Sequence, residues 1–250
     1  LIKKIIVWKL DLLARAYIWR FKPEIIAITG NVGKTSAKEA IAVVLEKIKK
    51  VRVGKGNLNN EFGVPLTILG DWGKDYYDSS NSLYFWSKVL FTSFFKLIYS
   101  KDFPEVLVLE YGADHPGDIA RLVKKYKPHV GIVTAVGRIP VHVEYFTDPD
   151  KVAKEKLKLI STLGPVNYAV LNHDDPAVFD MKEKTKARVW SYGFSEGSNV
   201  MLSNFYNRTE NEKPDGIGFK IHHGPNSFVP VIVDGVLGKA QALAAGAAAC

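Results

Sequence analysis

The chain has 250 residues, 47% of them hydrophobic and 24% charged, which excludes a disordered or fibrous polymer and leaves room for one large globular domain or two small ones. The formal charge is +8 and the pI near 9.3, but the 34 Lys and Arg are scattered rather than massed. A lysine-rich surface, an anionic substrate or a membrane surface all fit, and no nucleic-acid partner is expected. The single cysteine, Cys250, excludes a disulfide framework and fits a reducing cytoplasm.

Residues 1–22 read as an amphipathic N-terminal helix, with Lys4, Asp11 and Arg15 set among Ile2, Ile5, Leu12, Leu13 and Tyr17. It is too charged to span a bilayer, and either packs on a core or lies on a membrane. Residues 24–28, apolar at Ile25, Ile26, Ala27 and Ile28, read as a buried strand. Residues 37–49 read as a helix with Ala40, Ile41, Val44, Leu45 and Ile48 on one face. Between strand and helix lies Thr29-Gly30-Asn31-Val32-Gly33-Lys34-Thr35-Ser36. Gly30 and Gly33 let the backbone turn tightly and approach a phosphate, and the helix start adds N–H groups and a positive dipole end. In such a loop Lys34 reaches the β- and γ-phosphates and the Thr35 hydroxyl ligates Mg²⁺. The alternative is an ordinary βα turn with a surface lysine.

Residues 51–54 form a short strand. The loop Gly56-Asn57-Leu58-Asn59-Asn60-Glu61-Phe62-Gly63 follows, either a polar site or a set of turn formers, with a helix starting near Pro65. Residues 82–100 are rich in Leu, Phe, Trp and Tyr and carry only Lys88 and Lys96 as charges. They form a helix that is either buried or interfacial. A buried strand at 105–109 runs into Glu110-Tyr111-Gly112-Ala113-Asp114-His115-Pro116-Gly117. A carboxylate at the C-terminal end of such a strand faces the ligand crevice of an open α/β sheet, so Glu110 is a candidate Mg²⁺ ligand. A helix at 116–126 opens on Pro116, a strand occupies 130–134, and the loop Val141-His142-Val143-Glu144 precedes a helix at 148–160 that carries Lys154, Lys156 and Lys158. A strand at 166–171 ends at Asn172-His173-Asp174-Asp175-Pro176, a helix cap or a site. A short helix at 176–184 and a strand at 188–192 complete the alternation. Strands at 199–206, 216–222 and 227–233 then look antiparallel, with Pro230 marking an edge, and a small-residue helix covers 238–249. The fold class expected is α/β: a mostly parallel sheet with flanking helices, plus a small antiparallel sheet near the C-terminus.

Taken together, these segments resemble the Mur ligase family, ATP-dependent ligases that build the peptidoglycan stem peptide. Gly30–Ser36 is similar to the family loop G-[TS]-x-G-K-T-[TS]. G-N-L-N-N-x-x-G-V-P and E-Y-G-A-D-H-P-G-D-I resemble the branch that adds D-alanyl-D-alanine to a UDP-muramoyl tripeptide. The resemblance runs from Pro23 to about Ala249 and implies that 23–250 is the ATP-binding central domain. It implies a nucleotide site of Gly30, Asn31, Gly33, Lys34, Thr35 and Ser36, with Asn172 and Asp175 nearby. It implies catalytic roles for Lys34, His142 and Lys156, and two Mg²⁺ held by Thr35, Glu110, His142 and Lys156, the last as N6-carboxylysine. Lys156 is otherwise a plain surface lysine, with Lys154 and Lys158 near enough to confuse the register. Asn59 and Asn60 would face a UDP-muramoyl-peptide-like substrate, whose carboxylate is phosphorylated by ATP and then attacked by the amine of an amino acid or dipeptide.

Several positions depart from the family pattern. Leu237, Gly238 and Gln241 replace a histidine and two asparagines, Asp114 replaces an asparagine, and Arg138-Ile139-Pro140 is unusual before His142. The family's UDP-binding and C-terminal ligase domains lie outside these 250 residues, so the sequence reads as part of a longer chain. The other readings are a nucleotide-binding scaffold on the inner membrane surface, and another P-loop class, against which the asparagine loop, His142 and Lys156 argue. A cytoplasmic location, with or without contact to the inner membrane surface, is expected, and no oligomeric state is legible.

Overall fold

The computed structural model describes residues 2–79, 82–137, 149–210, 213–222, 224 and 227–250. The chain opens with α1 (Ile2–Phe21), β1 (Glu24–Thr29) and α2 (Lys34–Leu45). After β2 (Val51–Val53) come α3 (Gly63–Leu69), α4 (Gly73–Ser79) and α5 (Leu83–Tyr99). The alternation continues through β3 (Val106–Glu110), α6 (Asp118–Lys125), β4 (Val130–Val133), α7 (Pro149–Ser161) and β5 (Tyr168–Asn172). Then follow α8 (Pro176–Phe179), a 3-10 turn over Asp180–Lys184 and β6 (Arg188–Gly193). β7 (Val200–Glu210), β8 (Lys213–His222), β9 (Phe228–Asp234) and α9 (Lys239–Ala249) close the chain.

Among the described residues these strands make one sheet in the order β2-β3-β1-β4-β5-β6-β7-β8-β9. From β2 to β6 every pairing is parallel. The expected antiparallel strands are present, but they extend the parallel sheet rather than standing apart. β7 enters parallel to β6 through Tyr192–Val200 and Gly193–Met201, and β8 and β9 then run antiparallel. Pro230 sits on β9, the edge strand, where its missing N–H leaves no central ladder bond unmade.

Successive strand residues point to opposite faces, and two cores record this. Ile25, Ala27, Leu107 and Leu109 belong to a core with residues of α1, α3, α5, α6 and α7. Ile28, Val106 and Val108 belong to the other, with α2 and α9. All five residues of β3 are buried, as a strand covered on both faces requires.

Local differences from expectation have local causes. Gly33, at φ 85°, turns the chain directly into α2, so the helix begins at Lys34. Its buried stripe is Ala37, Lys38, Ile41 and Ala42, whereas Val44 and Ile48 are exposed. Pro116 lies before α6, whose N-cap is Gly117 at φ 95°. The Glu155 carboxylate accepts from Gly117 N and Ile119 N at 2.9 and 3.0 Å, so a side chain of α7 satisfies the start of α6.

Both apolar helices bury one face in the core and expose another. α1 buries Ile6, Leu10, Ala14 and Tyr17, and Tyr126 Oη donates to Asp11 at 2.9 Å, yet Trp8 and Trp19 are exposed. α5 buries Phe85, Trp86, Val89 and Ser93 and exposes Phe91 and Phe94. Among the described residues no helix is long and apolar enough to cross a membrane. Because Leu10 is fully buried, Leu10→Ala should cost about 2–5 kcal/mol of stability. Trp8→Ser on the opposite face should change it by less than about 0.5 kcal/mol. Urea denaturation of the two variants checks this contrast.

Candidate functional site

The glycine loop of residues 30–33 leaves the C-terminal end of β1 beside the ends of β3 and β4, the crevice position for ligands in a sheet of this kind. Asn31 N donates to Ala135 O at 2.6 Å, and the Asn31 amide donates to Val136 O. Thr134 Oγ1 donates to Val32 O at 2.7 Å. The loop is thus tied to the segment after β4 at several points. Gly30 has φ 147°, and a Cβ there would overlap Thr134 Oγ1, so the close approach demands glycine. No side chain caps the start of α2, and Asn31 Oδ1 is buried without a hydrogen-bond partner. An open helix start beside an unsatisfied buried polar atom is a place built for a ligand.

Lys34 Nζ donates to Asn31 O at 3.2 Å, curling over the loop. Burial lowers its pKa, and the carboxylates of Glu110 and Asp114 partly offset that effect. Thr35 and Ser36 occupy the first turn of α2. Thr35 Oγ1 donates to Glu110 Oε2 at 3.3 Å.

Glu110 is the centre of the arrangement. It is 3% exposed, and Lys38, 2% exposed, places its ammonium 3.7 Å from Oε2. Asn59 Nδ2 donates to Glu110 Oε1 at 3.1 Å and to Asn57 Oδ1 at 2.6 Å. Lys38 also donates to Gly56 O at 3.0 Å. A buried carboxylate is tolerable only when paired and hydrogen-bonded, and here α2 and the asparagine loop share that task. Sequence reasoning missed Lys38. Its signal was the spacing: four residues after Lys34 on a helix puts it on the same face.

Lys156, on α7, is buried, while Lys154 is exposed and Lys158 pairs with Glu155 at 2.6 Å. The register question therefore resolves to Lys156 as the inward-facing lysine. Burial, and next the nearby charge of Lys34, lower its pKa to about 8, against the pull of Glu155, Asp114 and Glu110. So Lys156, Lys34, Glu110 and Asp114 share one electrostatic neighbourhood. His142 lies outside the described residues.

The remaining candidates divide. Asn172 ends β5 and lines a small apolar slot of about 70 Å³ with Val32, Gly33, Thr134, Tyr192 and Ala240. Asp175 accepts from Val136 N and Gly137 N at 2.8 and 3.0 Å and caps α8 through Ala177 N, so it holds the segment that holds the loop. Asn60 Oδ1 accepts from Phe62 N and Gly63 N, securing the start of α3. Asn60 also lines a cleft of about 260 Å³ with Glu61, Asp114, His115, Asp118 and Arg121.

A Mg²⁺ fits this chemistry. Thr35 and Glu110 offer hard oxygen atoms side by side. Among the described residues no group of three or more His, Cys, Asp and Glu could hold a metal. Mg²⁺ in nucleotide sites takes one or two protein oxygens and completes its shell with phosphate and water. Because the Gly30 position excludes a side chain, Gly30→Ala should distort the loop and weaken binding of an adenine nucleotide about tenfold or more. Isothermal titration calorimetry reads this.

Residues 92–250 match the Mur ligase middle domain. The UDP-N-acetylmuramoyl-tripeptide–D-alanyl-D-alanine ligase of Mycobacterium leprae (strain TN) is 34% identical over 165 residues, covering 66% of this chain and 26% of the relative. The ligase of the same name from Bacillus subtilis (strain 168) is 25% identical over 240 residues, 95% of this chain and 44% of that one. MurF ligase from Thermotoga maritima in complex with ADP is similar over 98% of this chain and 48% of its own, with a TM-score of 0.74 and 25% identity. The chain therefore spans between about a quarter and a half of the length of these relatives. With more than half of its residues matching that domain, the chain belongs to the Mur ligase family.

Proposed function

We propose that this chain is the ATP-binding part of an ATP-dependent amide ligase of cell-wall peptide synthesis, which joins D-alanyl-D-alanine to a UDP-muramoyl tripeptide through an acyl phosphate. The observation that carries the reading is the buried Glu110, held by Lys38, Asn59 and Thr35 beside the phosphate loop. The relatives at 34% and 25% identity bear that ligase name, and the Thermotoga structure holds ADP, which supports ATP as the nucleotide.

In this reading Gly30, Asn31, Gly33, Lys34, Thr35 and Ser36 cradle the phosphates, and the slot beside Asn172 takes part of the nucleoside. Thr35 and Glu110 would hold one Mg²⁺, and His142 with Lys156 would help hold a second. A bound cation would neutralise charge on the transferring phosphoryl group. Lys34 releases Asn31 O and moves onto the β- and γ-phosphates. The protein positions and neutralises; the carboxylate of the muramoyl peptide attacks the γ-phosphorus and ADP leaves, giving the acyl phosphate, whose carbonyl carbon the incoming amine then attacks, losing a proton and expelling inorganic phosphate to leave the amide. Asp175 keeps the 134–137 segment against the loop, so its role is positional. The cleft beside Asn60, Asp114 and Arg121 faces the muramoyl-peptide side. The enzyme belongs in the cytoplasm, with the inner membrane surface as its finer address.

Lys156 fits conversion to N6-carboxylysine. Its amine is buried and easier to deprotonate than an ordinary lysine. The neutral amine attacks CO₂ and loses a proton, giving a carbamate whose oxygens can face a cation. In ¹³C-bicarbonate buffer, a carbamate carbon signal should appear for the wild type, persist in Lys154→Ala and vanish in Lys156→Ala; a signal surviving Lys156→Ala would refute the assignment.

The ligase reading is tested in the natural full-length protein by ADP release that requires both a UDP-muramoyl tripeptide and D-alanyl-D-alanine. Lys34→Ala should lower that turnover by about 10²-fold or more. ADP release with a folate and glutamate instead would favour a folylpolyglutamate-type ligase. ATP binding without turnover on either pair would favour a scaffold.

A further inference from the structure

α1 and α5 each carry a second apolar stripe on the side away from the core. In α1, Ile5, Trp8, Leu12 and Trp19 follow helical spacing opposite the buried Ile6, Leu10, Ala14 and Tyr17. Trp8 and Trp19 are 61% and 80% exposed. In α5, Tyr84, Phe91, Phe94, Ile98 and Tyr99 are exposed opposite Phe85, Trp86, Val89 and Ser93. The helices lie against each other: Tyr17 Oη donates to Ser93 O at 2.8 Å, and the Arg20 guanidinium donates to the carbonyls of Leu97, Ile98 and Ser100. Both bury one face in the same core, so their outer stripes adjoin as one surface. Singly exposed apolar residues are ordinary; a contiguous aromatic surface is not.

The charge on this surface names its occupant. α1 and α5 together hold seven basic residues and one acidic one; of the basic ones, Lys88 is paired with Asp75 of α4 and Arg20 is engaged by α5 carbonyls. The acidic one, Asp11, faces inward toward Tyr126 and Lys125. On the helical wheel Lys4 and Arg15 flank the α1 stripe on one side and Lys9 on the other, and all three are exposed. A second copy would press one basic surface on another, which like charges oppose, and protein interface cores are depleted of lysine. Trp and Tyr set among Lys and Arg is instead the composition of a helix lying at a lipid headgroup boundary. Neither helix is long and apolar enough to cross the bilayer.

We propose that the joined outer faces of α1 and α5 dock this protein on an anionic lipid bilayer, aromatic rings at headgroup depth and basic side chains on the lipid phosphates. This stands apart from the ligase reading and needs no substrate for its test. The natural full-length protein is sedimented with vesicles of phosphatidylcholine alone and of phosphatidylcholine mixed with phosphatidylglycerol. It should bind the mixed vesicles about tenfold more strongly, and more weakly as salt rises. Trp8→Ser/Trp19→Ser should lower that binding about tenfold with an unchanged circular dichroism spectrum, and Lys4→Glu/Lys9→Glu should abolish the preference for anionic lipid. In the wild type, bromine-labelled lipid should quench tryptophan fluorescence, a readout that needs no variant to fold. Failure to bind anionic vesicles, absence of quenching, or binding indifferent to the tryptophan substitutions would overturn the proposal. So would a dimer in sedimentation equilibrium that the tryptophan variant dissociates while vesicles remain unbound.

Discussion

Everything at the crevice depends on keeping one carboxylate, Glu110, charged inside the protein. An ionised group in that position is costly unless its partners are held in place. The partners come from three separate stretches: Lys38 and Thr35 from α2, and Asn59 from the loop after β2. The same contacts therefore fasten the asparagine loop to the phosphate-loop helix and both to the end of β3. Lys38 reinforces this by reaching Gly56 O as well. The glycines of the loop serve the same end, since Gly30 lets the chain pass against Thr134 with no side chain between.

The parts of this arrangement that were legible in the sequence are those with a fixed local pattern. An unbroken apolar strand, two spaced glycines, a Lys-Thr pair and a following helix place Lys34 and Thr35 by local rules alone, and a Glu directly after a buried strand reaches the crevice by topology. What was not legible depends on contacts between distant segments. The burial of Lys38 requires Glu110, 72 positions away in the numbering. The use of Asp175 as a clamp on residues 136 and 137 is decided by three-dimensional proximity. The buried stripe of α2 shifted because α9 and the strands, not the helix's own periodicity, determine which side is covered. The joining of β7 to β6 rests on two residue pairs that no turn pattern announces.

The two-faced helices show a different limit of sequence reasoning. Periodicity finds a helix by contrast between an apolar and a polar side. In α1 and α5 both sides are apolar, so buried and interfacial placements looked like alternatives. The structure buries one stripe of each helix in the core and leaves the other exposed. Large apolar side chains on the outer faces of both helices, among them Trp8, Trp19, Phe91 and Tyr99, are exposed in this chain.

The central claim is that Glu110 and Thr35 share a cation brought by a nucleotide lying in the loop of Gly30 to Gly33. Diffraction from crystals grown with Mg²⁺ and a non-hydrolysable ATP analogue measures this directly. The account predicts terminal phosphates within hydrogen-bond distance of the loop amides and Lys34, and a cation on Thr35 Oγ1 facing the Glu110 carboxylate. Phosphates bound away from the loop, or a cation with no path to Glu110 while Lys38 alone still pairs with it, would contradict it.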